Sequence, residues 1–102
     1  MATEYLRTIG HLARPLIDAG IYNSSNAFLK DLLKEMARKK IKTYQRINKR
    51  YEAKYGSFEQ FANKIKGSAT PKQEDEWMEW EAARNMLKAW KRIAQELGLS
   101  AA

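Results

Sequence analysis

The chain has 102 residues, of which 44% are hydrophobic and 30% charged, and it carries a formal net charge of +7. That length holds one domain, or one small domain with an extension, around a thin core. The absence of cysteine excludes a disulfide framework, a zinc finger and thiol chemistry, and no apolar run approaches the roughly 20 residues needed to cross a bilayer.

The N-terminus begins with an acid and has no apolar signal core, so a cytoplasmic protein is expected. The stretch ATEYLRTI admits two readings. Thr3, Tyr5 and Arg7 alternate with Ala2, Glu4 and Leu6, as in a short strand. Tyr5, Ile9, Leu12, Leu16 and Ile17 instead follow helical spacing. Pro15 opposes a regular helix running through it and pushes Arg14 towards extended backbone, which predicts a break there.

From Ser24 to Gly56 the pattern is helical. Leu29, Leu33, Ala37, Ile41, Tyr44, Ile47, Tyr51 and Tyr55 recur at spacings of three or four. Ser24 or Ser25 supplies the N-cap and Gly56 the stop. A helix of that length needs its apolar stripe packed on something. A short helix follows, opened by Ser57 and Gln60 at capping-box spacing and closed by Gly67, with Phe58, Phe61, Ala62 and Ile65 on one face.

The last helix starts at Thr70, with Pro71 at its first position and Gln73 completing a second capping box. Glu74, Asp75 and Glu76 suit the positive end of its dipole. Trp80, Ala83, Leu87, Trp90, Ala94 and Leu97 form a heptad seam, widened by Trp77 and Ile93. The expected fold is mainly α: two long antiparallel helices joined by a short helix, preceded by either a ribbon strand plus helix or a purely helical segment. Antiparallel pairing would bring Lys49, Arg50 and Lys54 near Glu74, Asp75 and Glu76.

The charge is unevenly placed. Residues 30–54 hold ten Lys or Arg against three Asp or Glu. Lys39, Lys40, Lys42, Arg46, Lys49 and Arg50 form a candidate basic face for phosphates, or a solvated helix face. No catalytic constellation appears, so an enzyme is not expected. His11 stands alone, and the acids at 74–79 lack the spacing of a calcium loop, so neither a metal nor a cofactor is expected.

The stretch GIYNSSNAFLKDLLK, residues 20–34, resembles the turn and second helix of ribbon-helix-helix proteins, above all antitoxins of the ParD type. Gly20, Tyr22, Ser24 and Ser25 match the turn, Phe28, Leu29, Leu32 and Leu33 the apolar positions, and Lys30 and Lys34 positions that are often arginine in that family. The resemblance implies residues 1–40 as a dimerising, DNA-binding segment and residues 41–102 as a helical extension that covers a toxin. It implies a homodimer whose paired strands enter the major groove of operator DNA, regulating transcription, with Thr3, Tyr5 and Arg7 facing out. Amides after Ser24 and Ser25 would hold a phosphate, and Lys30 would add attraction. Trp77, Met78 and Glu79 are the candidate toxin contacts. Two other readings stand beside it: a helical protein-interaction module, and a protein binding nucleic acid without sequence preference through its basic helix.

Overall fold

The computed structural model describes residues 2–99, with side chains described for residues 7–99. Four helices occur there, α1 (Ala2–Asp18), α2 (Ser25–Tyr55), α3 (Phe58–Ile65) and α4 (Pro71–Glu96). No strand occurs among the described residues. The mainly helical expectation holds, but two long helices is an incomplete description, because α1 is a further one of 17 residues.

The ribbon alternative is therefore corrected: the backbone of residues 2–9 belongs to α1. A strand needs a partner for its amides, and a two-stranded ribbon would have to find it in another chain, whereas a helix bonds its own backbone. The expected break before Pro15 is corrected too. Pro15 sits in the last turn of α1, where it removes only the amide that would reach the His11 carbonyl. The helix then ends in a Schellman turn: Ile21 N bonds Leu16 O at 2.9 Å and Gly20 N bonds Ile17 O at 3.0 Å. Gly20 has φ of 77°, which a side chain would resist.

The chain divides into two compact units, residues 1–36 and 37–102, with α2 contributing to both. In the first, Ala13 is fully buried. Gly10 lets α1 approach the start of α2, since a Cβ there would lie 3.4 Å from the Ser25 hydroxyl. Tyr22 sets its ring edge-on to Phe28 at 5.4 Å and donates its hydroxyl proton to Asp31.

The second unit is built by its caps and aromatics. Both capping boxes form: Ser57 Oγ accepts from Gln60 N, and Thr70 Oγ1 accepts from Gln73 N, with the glutamine side chains returning the bond. The core is Tyr51, Phe61, Ile65 and Trp80, ringed by Ile47, Tyr55, Phe58, Ala69 and Trp77. Trp80 is 1% exposed and touches three rings, with centroids 5.5 Å from Tyr51, 5.2 Å from Phe58 and 5.7 Å from Phe61. Aromatic pairs of this kind add about 0.5–1.5 kcal/mol each beyond the area they bury.

The end of α2 and the start of α4 run antiparallel, since Tyr51 meets Trp80 while Tyr55, one turn on, meets Glu76, one turn back. Carried along both helices, this register sets Asn48 opposite Ala83, Tyr44 opposite Leu87 and Ala37 opposite Ala94. Asn48, Ala83, Ala37 and Ala94 are all buried. Of the expected seam positions, Ala37 and Tyr51 of α2 and Trp80, Ala83 and Ala94 of α4 are buried.

Candidate nucleic-acid interface

Between Ala37 and Tyr55, α2 carries eight Lys or Arg and a single acid, Glu52. At 3.6 residues per turn, Arg38, Lys42, Lys49 and, a little round the barrel, Lys39 and Arg46 share the face turned away from buried Ala37, Asn48 and Tyr51. All five are exposed. The stripe runs about 17 Å, with successive charges about 1.5–6 Å apart along the axis. Among the described residues, no carboxylate lies within salt-bridge distance of Lys39, Lys42, Arg46 or Lys49.

The six expected basic residues are thus divided. Lys39, Lys42, Arg46 and Lys49 come together. Lys40 is exposed but lies to one side, and Arg50 turns to α4. Arg38 belongs to the same face and is missed by a reading of the densest run alone; its place four residues before Lys42 is the signal that finds it.

Arg50 donates to Glu79 at 2.9 Å, and the same carboxylate accepts the Tyr51 hydroxyl at 2.8 Å. One turn further, Lys54 donates to Glu76 at 2.8 Å, and the Tyr55 hydroxyl donates to the other oxygen at 2.8 Å. The bond from Lys54, then that from Tyr55, lowers the Glu76 carboxyl below its ordinary range. The Lys54 ammonium is raised in return, chiefly by its bond to Glu76. Burial, then the bond to Glu79, raises the Tyr51 phenol. The acids that meet α2 are therefore Glu76 and Glu79, not Glu74 or Asp75. They occupy the end of α2 and leave the stripe before it positive.

The other expected site residues are dispersed. The side chains of Thr3 and Tyr5 lie outside the described residues. Arg7 is exposed and lines a shallow depression with Gly10, His11 and Arg14. Ser24 is occupied as the N-cap of α2, its hydroxyl accepting from Ala27 N at 3.2 Å, and Ser25 is half-buried. Lys30 is exposed, in a second depression with Tyr22, Asp31 and Lys34. Of the candidate toxin contacts, Trp77 is half-buried and stacked on Phe58 at 5.9 Å, and Glu79 is engaged by Arg50 and Tyr51. Met78 is left open, 63% exposed.

No group of three His, Asp or Glu converges as a metal site among the described residues. No described helix is long and apolar enough to cross a membrane. What the basic stripe can do chemically is place several fixed cations along one edge, which suits a polyanion better than a small ligand. The class this defines is a small helical protein with a polycationic face. Compared with known proteins, the chain matches no family model, no curated protein and no solved structure.

Proposed function

We propose that this protein binds double-stranded nucleic acid through the outer face of the second half of α2, chiefly by phosphate contacts. The observation that carries the reading is the exposed stripe of Arg38, Lys39, Lys42, Arg46 and Lys49, with no acid between residues 38 and 49 of the sequence. Long, hydrated cations at helical spacing neutralise phosphates without reading bases, so binding has little sequence preference. Operator reading by paired strands is set aside with the ribbon.

The test is fluorescence anisotropy with a labelled duplex across a salt series. Five phosphate contacts give a slope of log K against log salt of about −4 to −5 on B-form DNA. Each of Lys42→Ala and Arg46→Ala should reduce that slope by about one. Binding that ignores salt, or is unmoved by both substitutions, refutes the reading.

A second reading, an antitoxin-like protein whose C-terminal part covers a toxin, is favoured by the exposure of Met78 beside the acid-rich start of α4. An apolar side chain rimmed by carboxylates suits a basic partner surface. Co-expression with the product of an adjacent reading frame tests it. A stoichiometric complex lost on Met78→Glu supports it, and separate elution of the two chains refutes it.

A further inference from the structure

The seam of α4 is not its only apolar row. Met78, Ala82, Met86, Ala89 and Ile93 recur at spacings of four, four, three and four, and all five are exposed. Met78 is 63%, Met86 40% and Ile93 36% exposed, while the two alanines between them allow a close backbone approach. The row lies beside the Trp80–Leu97 seam rather than within it, so packing inside the second unit does not cover it.

The charges of α4 say what would cover it. From Pro71 to Ala83 the helix has one lysine against five acids, a balance of −4; from Arg84 to Glu96 it has four bases against one acid, +3. A helix polarised in this way complements a second copy of itself turned end for end. The pattern also has a centre. Turned about the midpoint between residues 85 and 86, Met78 falls opposite Ile93 of the second copy, Ala82 opposite Ala89, and Met86 opposite Asn85, one residue from the second copy's Met86. On the flank of the row, Glu81 comes within two residues of the position opposite Lys88, about 3 Å along the axis. The apolar positions are thus self-complementary about one point, with Glu81 and Lys88 close to matching it, which is what an isologous two-fold contact requires. Asp75 and Glu96 would meet at the two ends, so the contact stops there.

We propose that the Met78–Ile93 row of α4 is a homodimer seam, closed by antiparallel pairing with α4 of a second copy. It is distinct from a ribbon dimer and independent of nucleic-acid binding. The row is about 22 Å long on a helix about 10 Å across, so pairing removes on the order of 600 Å² in all. That is below the roughly 1,000 Å² of a stable interface, so the dimer is weak and transient, with a dissociation constant at the upper end of the micromolar range or weaker.

Sedimentation of the full chain from about 10 µM to about 1 mM tests this window. The weight-average mass should climb from monomer towards dimer. Met86→Glu should weaken association at least tenfold while far-UV circular dichroism stays unchanged, because the side chain is exposed. Glu81→Lys and Lys88→Glu should each weaken it, and the double variant E81K/K88E should restore it. Cross-linking then fixes the direction, since the chain has no cysteine of its own. Met86→Cys should form a disulfide dimer, Ala82→Cys alone should not, and an equimolar mixture of Ala82→Cys with Ala89→Cys should. A monomer throughout the range overturns the proposal. So does a dimer indifferent to Met86→Glu and the charge swaps, or self-cross-linking of Ala82→Cys, which marks a parallel pair.

Discussion

Asn48 is the one buried polar residue of the described core, 7% exposed. Its Nδ2 donates to the Tyr44 carbonyl at 2.8 Å, but that carbonyl already stands four residues back in the helix, where the Asn48 amide reaches it. The side-chain bond is thus a second claim on a satisfied acceptor. Its Oδ1 has no partner among the described residues. An orphaned buried acceptor costs about 1–3 kcal/mol. Leucine has nearly the same shape, so Asn48→Leu removes that cost and adds buried apolar surface opposite Ala83. Burial of a leucine contributes roughly 1.5–3 kcal/mol, from which about 1 kcal/mol is subtracted for imperfect fit. The net expectation is a variant more stable by about 2 kcal/mol. Urea unfolding followed at 222 nm should show a midpoint higher by about 1 M, given the slopes usual for small domains. Asn48→Asp is the control: it buries a charge in the same space and should lower the midpoint. A midpoint for Asn48→Leu at or below the parent would refute the reasoning. It would mean that Oδ1 is satisfied in solution or that the site cannot take a branched side chain.

Other consequences follow from the same unit. Trp80→Ala removes the ring that three others pack on and should cost about 3–5 kcal/mol, seen as loss of near-UV dichroism and early urea unfolding. Thr70→Ala takes the acceptor from Gln73 N and should cost about 1 kcal/mol, while Thr70→Ser stays near the parent in a thermal melt. Because the folded Glu76 carboxyl lies below its ordinary value of 4.5, its contribution is complete above that pH and is lost as pH falls through the lowered value. Urea midpoints measured from about pH 6 to about pH 3 should therefore drop less steeply in Glu76→Gln than in the parent.

Much of the second unit is legible in the sequence because its signals are local. Ser57 with Gln60, and Thr70 with Pro71 and Gln73, are read directly as caps, and both form. The heptad from Trp80 to Leu97 names a seam, and Trp80, Ala83 and Ala94 are buried along it. The N-terminus is ambiguous for a physical reason. Thr3, Tyr5 and Arg7 alternate as a strand would, while Ile9, Leu16 and Ile17 step as a helix does, and neither pattern outweighs the other. Pro15 misleads because its effect depends on how many residues follow it in the helix, and here only three do. The acids that meet α2 depend on rotation and register together, so a reading by proximity in sequence chooses Glu74, Asp75 and Glu76, of which geometry keeps Glu76 and adds Glu79. The second apolar row of α4 is hidden beside a stronger one. Its alanines carry little weight in a hydrophobic pattern and matter only once Trp80 shows which face is already used.

The basic stripe of α2 also has a cost that separates binding from mere solvation. Arg38, Lys42 and Arg46 follow one another at four-residue spacing, as do Arg46 and Arg50, and like charges so placed destabilise a helix by about 0.2–0.5 kcal/mol per pair. A face that served only solubility would intersperse acids. Glu76 and Glu79 cannot relieve the stripe, because Lys54 and Arg50 hold them at the end of the helix, each with a tyrosine hydroxyl on its second oxygen. The unbound protein should therefore gain stability as salt rises and screens the repulsion, whereas its hold on a duplex should weaken over the same range. A thermal melt and a binding isotherm in the same salt series would move in opposite directions. A phosphate polymer does at low salt what screening does at high salt, so duplex added at low salt should raise the melting temperature. If salt lowers the melting temperature of the unbound protein, the stripe is not self-repelling, and the charge argument for a polyanion fails with it.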